Sequence, residues 1–337
     1  MAINNEREIT EPVLLCDKNG RLNKESIGWA RKPLITSNLS GHYMRKKKWN
    51  YWCVFGRETM FSATISHLDY AVVCFVYFLE YETNNFYEKT FLVPFGKNYT
   101  MPEEVQDSVE AVHKDMGLFF IWNKDHVALK VSSTDFGGEE LKADIKIHYP
   151  ENLDTLNVVV PWSDNKFQFT AKQHCLPAEG SFSVGDKTWT FNPDSDFAVL
   201  DYGRGVWPRK STWNWGMASG RQDQDVIGLN FGGQWTDHTG STENAVILNG
   251  NITKISEDVT FIYNSNDFMK PWGIQSDSVR LTFKPFFERT AKSNALVVKS
   301  EVHQVVGHYY GEVSLTNDET LVVDGFLGCI EEHKATW

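Results

Sequence analysis

The chain is poor in cysteine. Its five cysteines, Cys16, Cys53, Cys74, Cys175 and Cys329, are scattered and form no CxxC pair. A disulfide framework or a structural zinc site is not expected from such spacing, and buried reduced thiols are. A long apolar run is also missing. The most hydrophobic stretch, YAVVCFVYFL from Tyr70 to Leu79, falls well short of the roughly twenty residues a membrane helix needs. It lies between Asp69 and Glu80 and is rich in β-branched and aromatic residues, which predicts a central strand. The N-terminal MAINNEREITEP lacks the apolar core of a signal peptide. Positive charge is in deficit, with 33 Lys and Arg against 44 Asp and Glu and a net charge of -11. That balance argues against nucleic acid as a partner. The one basic run, RKKK at 45–48, predicts a solvated edge. Nucleotide chemistry, serine hydrolysis and zinc-peptidase chemistry lack their signatures: there is no GxxxxGK followed by Ser or Thr, no GxGxxG after a strand, no GxSxG and no HExxH. The expectation is a cytoplasmic protein without cofactor or metal, whose partner is a small-molecule ligand. The oligomeric state is left open.

Helical periodicity is scarce as well. MPEEVQDSVEAVHKDMG, 101–117, is one of the few segments that carry it, with Pro102, Glu103 and Glu104 suited to a helix N-terminus. Elsewhere short alternating runs such as HVALKVSST, KFQFTAK and DVIGLNFGG are punctuated by Gly, Asn, Asp and Pro. This pattern predicts an all-β chain of antiparallel meanders, with hairpin cues at LNGNIT and TNDETL. The length of 337 residues suits two packed β units, barrels or sandwiches, with few short helices. Residues 1–40 are expected as an extension packed on these units, 41–194 as the first unit and 195–337 as the second.

What the chain has in abundance is aromatic surface, with 12 Trp and 22 Phe. DYGRGVWPRKSTWNWGMASG, 201–220, joins three tryptophans to Asp201, Arg204 and Arg209. Gly203, Gly205 and Pro208 predict a bent crossing over 201–210, with FAVLDYG before it as a strand ending near Asp201. Alternation then places Trp213 and Trp215 on one face. Those two also fit an inner core face. Trp207, set between two arginines, fits a pocket where aromatic walls hold a ligand and paired charges orient it, with Asp201 as the arginines' nearest partner. In GLNFGGQWTDHTGSTENAVILNG, 228–250, a strand, a polar tip and a strand present Asp237, Glu243 and Asn244. Asp237 and Glu243 suit general acid–base work, although an exposed capping loop explains them equally well. In KFQFTAK, alternation puts Gln168, Thr170 and Lys172 on one face. The stripe is the wet side of a sheet or, if that face is interior, makes Lys172 a site residue. His303, His308 and His333 read as structural.

Six segments together resemble a bacterial and fungal family, domain of unknown function 2804: GWARKPL (28–34), KKKWNYWCV (46–54), VVPWSDNKFQFTAKQHCLPAEG (159–180), DYGRGVWPRKSTWNWGMASG, GLNFGGQWTDHTGSTENA (228–245) and DGFLGCIEEHKATW (324–337). The resemblance runs nearly end to end. The tail departs from it, with Thr336 where an arginine precedes the last tryptophan, so whatever that arginine does is in doubt here. The family is remotely similar to carotenoid 1,2-hydratase and tocopherol-cyclase-like proteins. The resemblance therefore implies two packed lipocalin-like β-barrels, with a ligand cavity at or near their junction. It also suggests protonation of a double bond by a carboxylic acid, with aromatic faces stabilising the cation.

Three functions fit these residues. One is a cofactor-independent hydratase, cyclase or isomerase with Asp201 or Asp237 as the acid and Trp207, Trp213 and Trp215 as the wall. Another is a carbohydrate-active enzyme with Asp237 and Glu243 as its carboxylate pair. The third is a carrier without chemistry, which the charges at Lys172, Arg204 and Arg209 make too polar for a purely apolar cargo.

Overall fold

A near-continuous apolar run such as the second half of KKKWNYWCVF is satisfied only when both faces of a strand are covered, and this chain covers them by packing sheet on sheet. The computed structural model describes residues 4–96, 98–295, 298–315 and 319–337. Among the described residues the secondary structure is all-β apart from one 3-10 turn, Lys24–Ser26. A thirteen-stranded sheet forms a nearly closed barrel and a nine-stranded sheet a half-barrel. The expected all-β double-barrel architecture is what the chain adopts.

In the first sheet, Tyr70–Leu79 is covered by the strand Ala71–Glu80, which pairs with Thr59–His67 on one side and Asn85–Pro94 on the other. Beyond Thr59–His67 come Lys46–Phe55, Phe197–Val206 and Lys166–Val184. Phe197–Val206 thus belongs to the first sheet, and the chain crosses to the second at 207–209 rather than at 195. The second sheet begins with Lys210–Gln222, which lies between Asp225–Gly233 and Thr320–Thr336. Val298–Ser314 and then Val279–Ala295 continue it. Residues 4–40 pack on the first core through Ile9, Leu15, Leu22 and Leu39. Residues 1–3 and the start of the TNDETL turn, 316–318, lie outside the described residues.

Two local expectations are corrected. Residues 101–117 form no helix: Val109–His113 and Met116–Trp122 make a hairpin, with Val109 and Ala111 buried between outward Glu110 and Val112. The period is two, and Lys114 takes the left-handed turn at φ 53°. Residues 201–206 are regular strand, not a bent crossing. Gly203 and Gly205 are there for close approach: a Cβ would lie 2.1 Å from the Trp49 ring at the first and 2.2 Å from the Gln168 carboxamide at the second. All five cysteines are free and buried.

Candidate functional site

Register decides which side chains meet. Lys172 lies directly opposite Asp201, Thr170 opposite Gly203 and Gln168 opposite Gly205. The same face continues to Tyr51 and Trp49 on the next strand. Their neighbours Trp52, Phe169, Leu200 and Tyr202 point the other way into the first barrel's core. The Lys172 face is therefore neither wet nor luminal. It is the outside of the first barrel, covered by the outside of the second. Tyr51, Cys53, Met60, Tyr77 and Val199 pack there against Trp215, Met217, Val306 and Cys329.

A charged cluster is sealed into this junction. The Lys172 Nζ lies 3.0 Å from Asp201 Oδ1 and 3.2 Å from Glu243 Oε2. It also stands 4.1 Å from the centroid of Trp215. Thr170 donates to Asp201 at 3.2 Å, and the Trp235 indole N–H donates to Glu243 Oε1 at 2.7 Å. A third acid, Glu331, receives the Trp213 indole N–H at 3.2 Å and the Gln304 amide at 3.4 Å. Burial alone would lower the Lys172 pKa, but Asp201 and Glu243 outweigh it and hold it above its ordinary value. Burial raises Glu243, with Lys172 opposing. Burial also lifts Glu331 to about 7, the Trp213 bond and Lys172 opposing and Asp201 adding. The Lys172 ammonium thus contacts two carboxyl groups, while a third, Glu331, keeps its proton near neutrality.

Tryptophans wall this cluster and bond to it. Trp207 packs at 4.9 to 6.0 Å, ring to ring, against Trp162, Trp213, Trp235 and Trp49. Its indole N–H donates to Gln168 Oε1 at 2.7 Å, and that of Trp215 to Asn230 Oδ1 at 2.9 Å. His174, driven down to about 4 by burial, stands behind Asn230. The cluster is not closed on every side. Asp201 and Glu331 keep 9% and 8% of their surface, against 1% for Glu243. Trp49, Trp213 and His333 are half-buried.

The structure thus brings together Lys172, Asp201, Glu243, Trp207, Trp213 and Trp215. The other candidates stand apart. Arg204 alternates away from Asp201 into the first barrel, where it donates to the carbonyls of Pro102, Trp49 and Gly203 and to Asn50 Oδ1, and stacks on Tyr202. Asp201 pairs with lysine, not arginine. Arg209 is exposed, and its carbonyl accepts the Trp337 N–H. Asn244 is buried, accepting the Gly232 N–H and donating to the Glu257 carbonyl. Asp237 is exposed and caps the Gln234 N–H at 2.8 Å, so it shares no environment with Glu243. The basic run is not simply a solvated edge either: Lys47 turns inward over the rings of Tyr70 and Trp337, and burial lowers it to about 8.

Sequence reasoning missed Glu331, Gln304 and Trp235. A signal existed for the first. Two consecutive glutamates, Glu331 and Glu332, in a strand must point to opposite faces, and here both faces are buried. Among the described residues no group of three or more His, Cys, Asp and Glu is placed to hold a metal, and no helix is long and apolar enough to cross a membrane.

Comparison with known proteins bears on the fold. The family described as a domain of unknown function (DUF2804) matches residues 6–337. No curated protein sequence matches the chain significantly. Among solved structures, one described as an AttH of Nitrosomonas europaea superposes with a TM-score of 0.52 at 9% identity, covering 88% of this chain and 94% of its own. Kievitone hydratase of Nectria haematococca superposes with a TM-score of 0.44 at 10% identity, covering 88% of this chain and 90% of its own.

Proposed function

The chain belongs to that DUF2804 family, and we propose that it is an acid–base catalyst of hydratase, cyclase or isomerase type that needs no cofactor. Its substrate is a largely apolar, unsaturated small molecule taken up at the barrel junction. The observation that carries this reading is a buried carboxyl group, Glu331, that keeps its proton to about pH 7 at the same junction as Asp201, which lies 3.0 Å from the Lys172 ammonium. A carboxylic acid that keeps its proton near the working pH is what general acid catalysis requires.

Each group has a role in this reading. Glu331 gives its proton to a carbon of the double bond. The Trp213 and Trp215 faces stabilise the cation that develops. A water adds its oxygen to that cation and gives its extra proton to Asp201. Transfer of that proton from Asp201 to Glu331 restores the starting state, so the balance is one water added. Lys172 holds the Asp201 and Glu243 carboxyl groups in place, 3.0 and 3.2 Å from its ammonium.

The test has two stages. Apolar unsaturated compounds are screened for those that raise the unfolding temperature, which marks binding. Each is then incubated with the protein in deuterated water. Wild type should place solvent deuterium on a carbon of at least one bound compound. Glu331→Gln should bind the same compound and exchange it about a hundredfold or more slowly. A bound compound that is never exchanged or hydrated, or a Glu331→Gln protein that exchanges it at the wild-type rate, overturns the proposal.

A further inference from the structure

A group of polar side chains from both barrels sits directly behind Glu331. Tyr51 and Tyr77 come from the first barrel, and their hydroxyl oxygens are 2.9 Å apart. Gln304 comes from Val298–Ser314 in the second. The Tyr77 hydroxyl donates to Gln304 Oε1 at 2.6 Å. Since the Tyr77 proton is spent on Gln304, Tyr51 donates to Tyr77. The Gln304 Nε2 then donates to Tyr51 at 3.4 Å and to Glu331 Oε2 at 3.4 Å. The three groups close a ring of donors that leaves one amide N–H aimed at the acid. An amide can be turned over with little change in shape, so its orientation must be fixed by partners. Here the Tyr77 hydroxyl, donating to Oε1 at 2.6 Å, fixes it. The Tyr77 ring is in turn held under the Arg289 guanidinium, 4.6 Å from its centroid, and Arg289 is paired with Glu88 at 2.7 Å.

We infer that Gln304, oriented by the Tyr51–Tyr77 hydroxyl pair, is the positioning residue that holds the Glu331 carboxyl in place, so that the proton donor is assembled only when the two barrels are docked. The inference rests on the acid–base reading for its purpose, but not for its test. Other groups also act on Glu331. Lys172 and Arg289 favour its charged form, and Asp201 disfavours it. Trp213 donates to its other oxygen, and Cys329 lies two residues before it on its own strand. Of these, Arg289 touches Tyr77, and it does so through the ring that Tyr77→Phe retains, so the contribution of Gln304 can be separated from theirs.

The experiment follows the Glu331 carboxyl directly in the whole protein, by infrared titration of its protonated C=O band, assigned as the band lost in Glu331→Gln. An N–H donated to a carboxylate favours the charged form. Gln304→Leu removes that donor, and the midpoint should rise by about one pH unit, a roughly tenfold gain in proton affinity. Tyr77→Phe keeps the amide but releases its orientation. The amide can then present its carbonyl to the carboxyl proton, and the midpoint should rise in the same direction. Tyr51→Phe should act in the same sense but less, because Tyr77 still orients the amide. Gln304→Glu is the second probe: a neighbouring carboxylate should raise the midpoint further by like-charge repulsion. A midpoint that stays at its wild-type value in both Gln304→Leu and Tyr77→Phe, while stability falls, makes the trio packing only and overturns the inference. Because no substrate enters, such a failure is distinct from failure of the deuterium test.

Discussion

Gly232→Ala should dismantle the charged cluster without touching a charge. A Cβ built on Gly232 lies 2.0 Å from Glu243 Oε1, 2.4 Å from its Cγ and 2.5 Å from its Cδ. The contact reaches along the side chain, so a small rotation does not relieve it. Glu243 must leave, and with it go the Trp235 bond at 2.7 Å and the Lys172 contact at 3.2 Å. An orphaned buried N–H costs about 1–3 kcal/mol. Losing a partner of a buried ion pair costs about 3–5 kcal/mol when nothing replaces it. Lys172 keeps Asp201, so the lower part of that range applies. Replacing a strand glycine returns about 0.5–1 kcal/mol. The net loss should be about 4 kcal/mol. The assay is urea unfolding of wild type, Gly232→Ala, Glu243→Ala and the double variant. With Glu243 already truncated, the added methyl has room, and Gly232→Ala should be neutral to within about 0.5 kcal/mol, leaving a coupling of about 2 kcal/mol or more. Equal losses in both backgrounds would refute the reasoning, because the methyl would then be disturbing something other than Glu243.

Glu331 should make stability fall as pH rises through the acid range. Its folded value of about 7 lies above its ordinary 4.5, so the native state binds the extra proton between these limits. Stability is therefore greatest relative to Glu331→Gln below about pH 4.5, declines by about 3 kcal/mol up to pH 7 and is flat above it. Unfolding free energies of the two proteins measured across that range test this, and parallel curves would contradict it. Arg204→Met should lower stability by about 3 kcal/mol, since four acceptors lose their donor inside the first barrel, and thermal or urea unfolding reads it. Asp237→Asn should leave turnover intact and stability within about 1 kcal/mol, because the asparagine oxygen still caps Gln234.

Strand content and the placement of Trp213 beside Trp215 were legible because a two-residue period records which face a side chain takes. The faces themselves were not. Gln168, Thr170 and Lys172 form a polar stripe that reads as wet when one sheet is considered alone. Only the second barrel, laid over the first, turns that stripe into an interior. The pairing of Lys172 with Asp201 depends on a register between strands far apart in sequence, which no local pattern carries. Asp237 misled for the opposite reason. A carboxylate beside histidine and threonines has the composition of a site, but a turn uses the same residues to satisfy its own N–H groups. Glycines misled too. Gly203 and Gly205 resemble the residues of a bend, yet they are flat strand positions emptied to admit Trp49 and Gln168.

The composition of the junction argues against mere cement. Around the cluster, the two barrels meet through Cys53, Met60, Val199, Met217, Val306 and Cys329, contacts that stabilise docking with no desolvation of charge. Replacing a buried ion pair with packed apolar side chains is often neutral or stabilising. A lysine in contact with two carboxyl groups, with Glu331 held up to about 7 by burial at the same junction, is worse than a pair. Had selection acted on docking alone, apolar residues at 172, 201, 243 and 331 would have served it better. The indole N–H groups of Trp213 and Trp235 are aimed at two of these acids, and Gly232 is kept bare to seat one of them. An arrangement that opposes stability while being built with this much support accords with the proton-transfer site we propose.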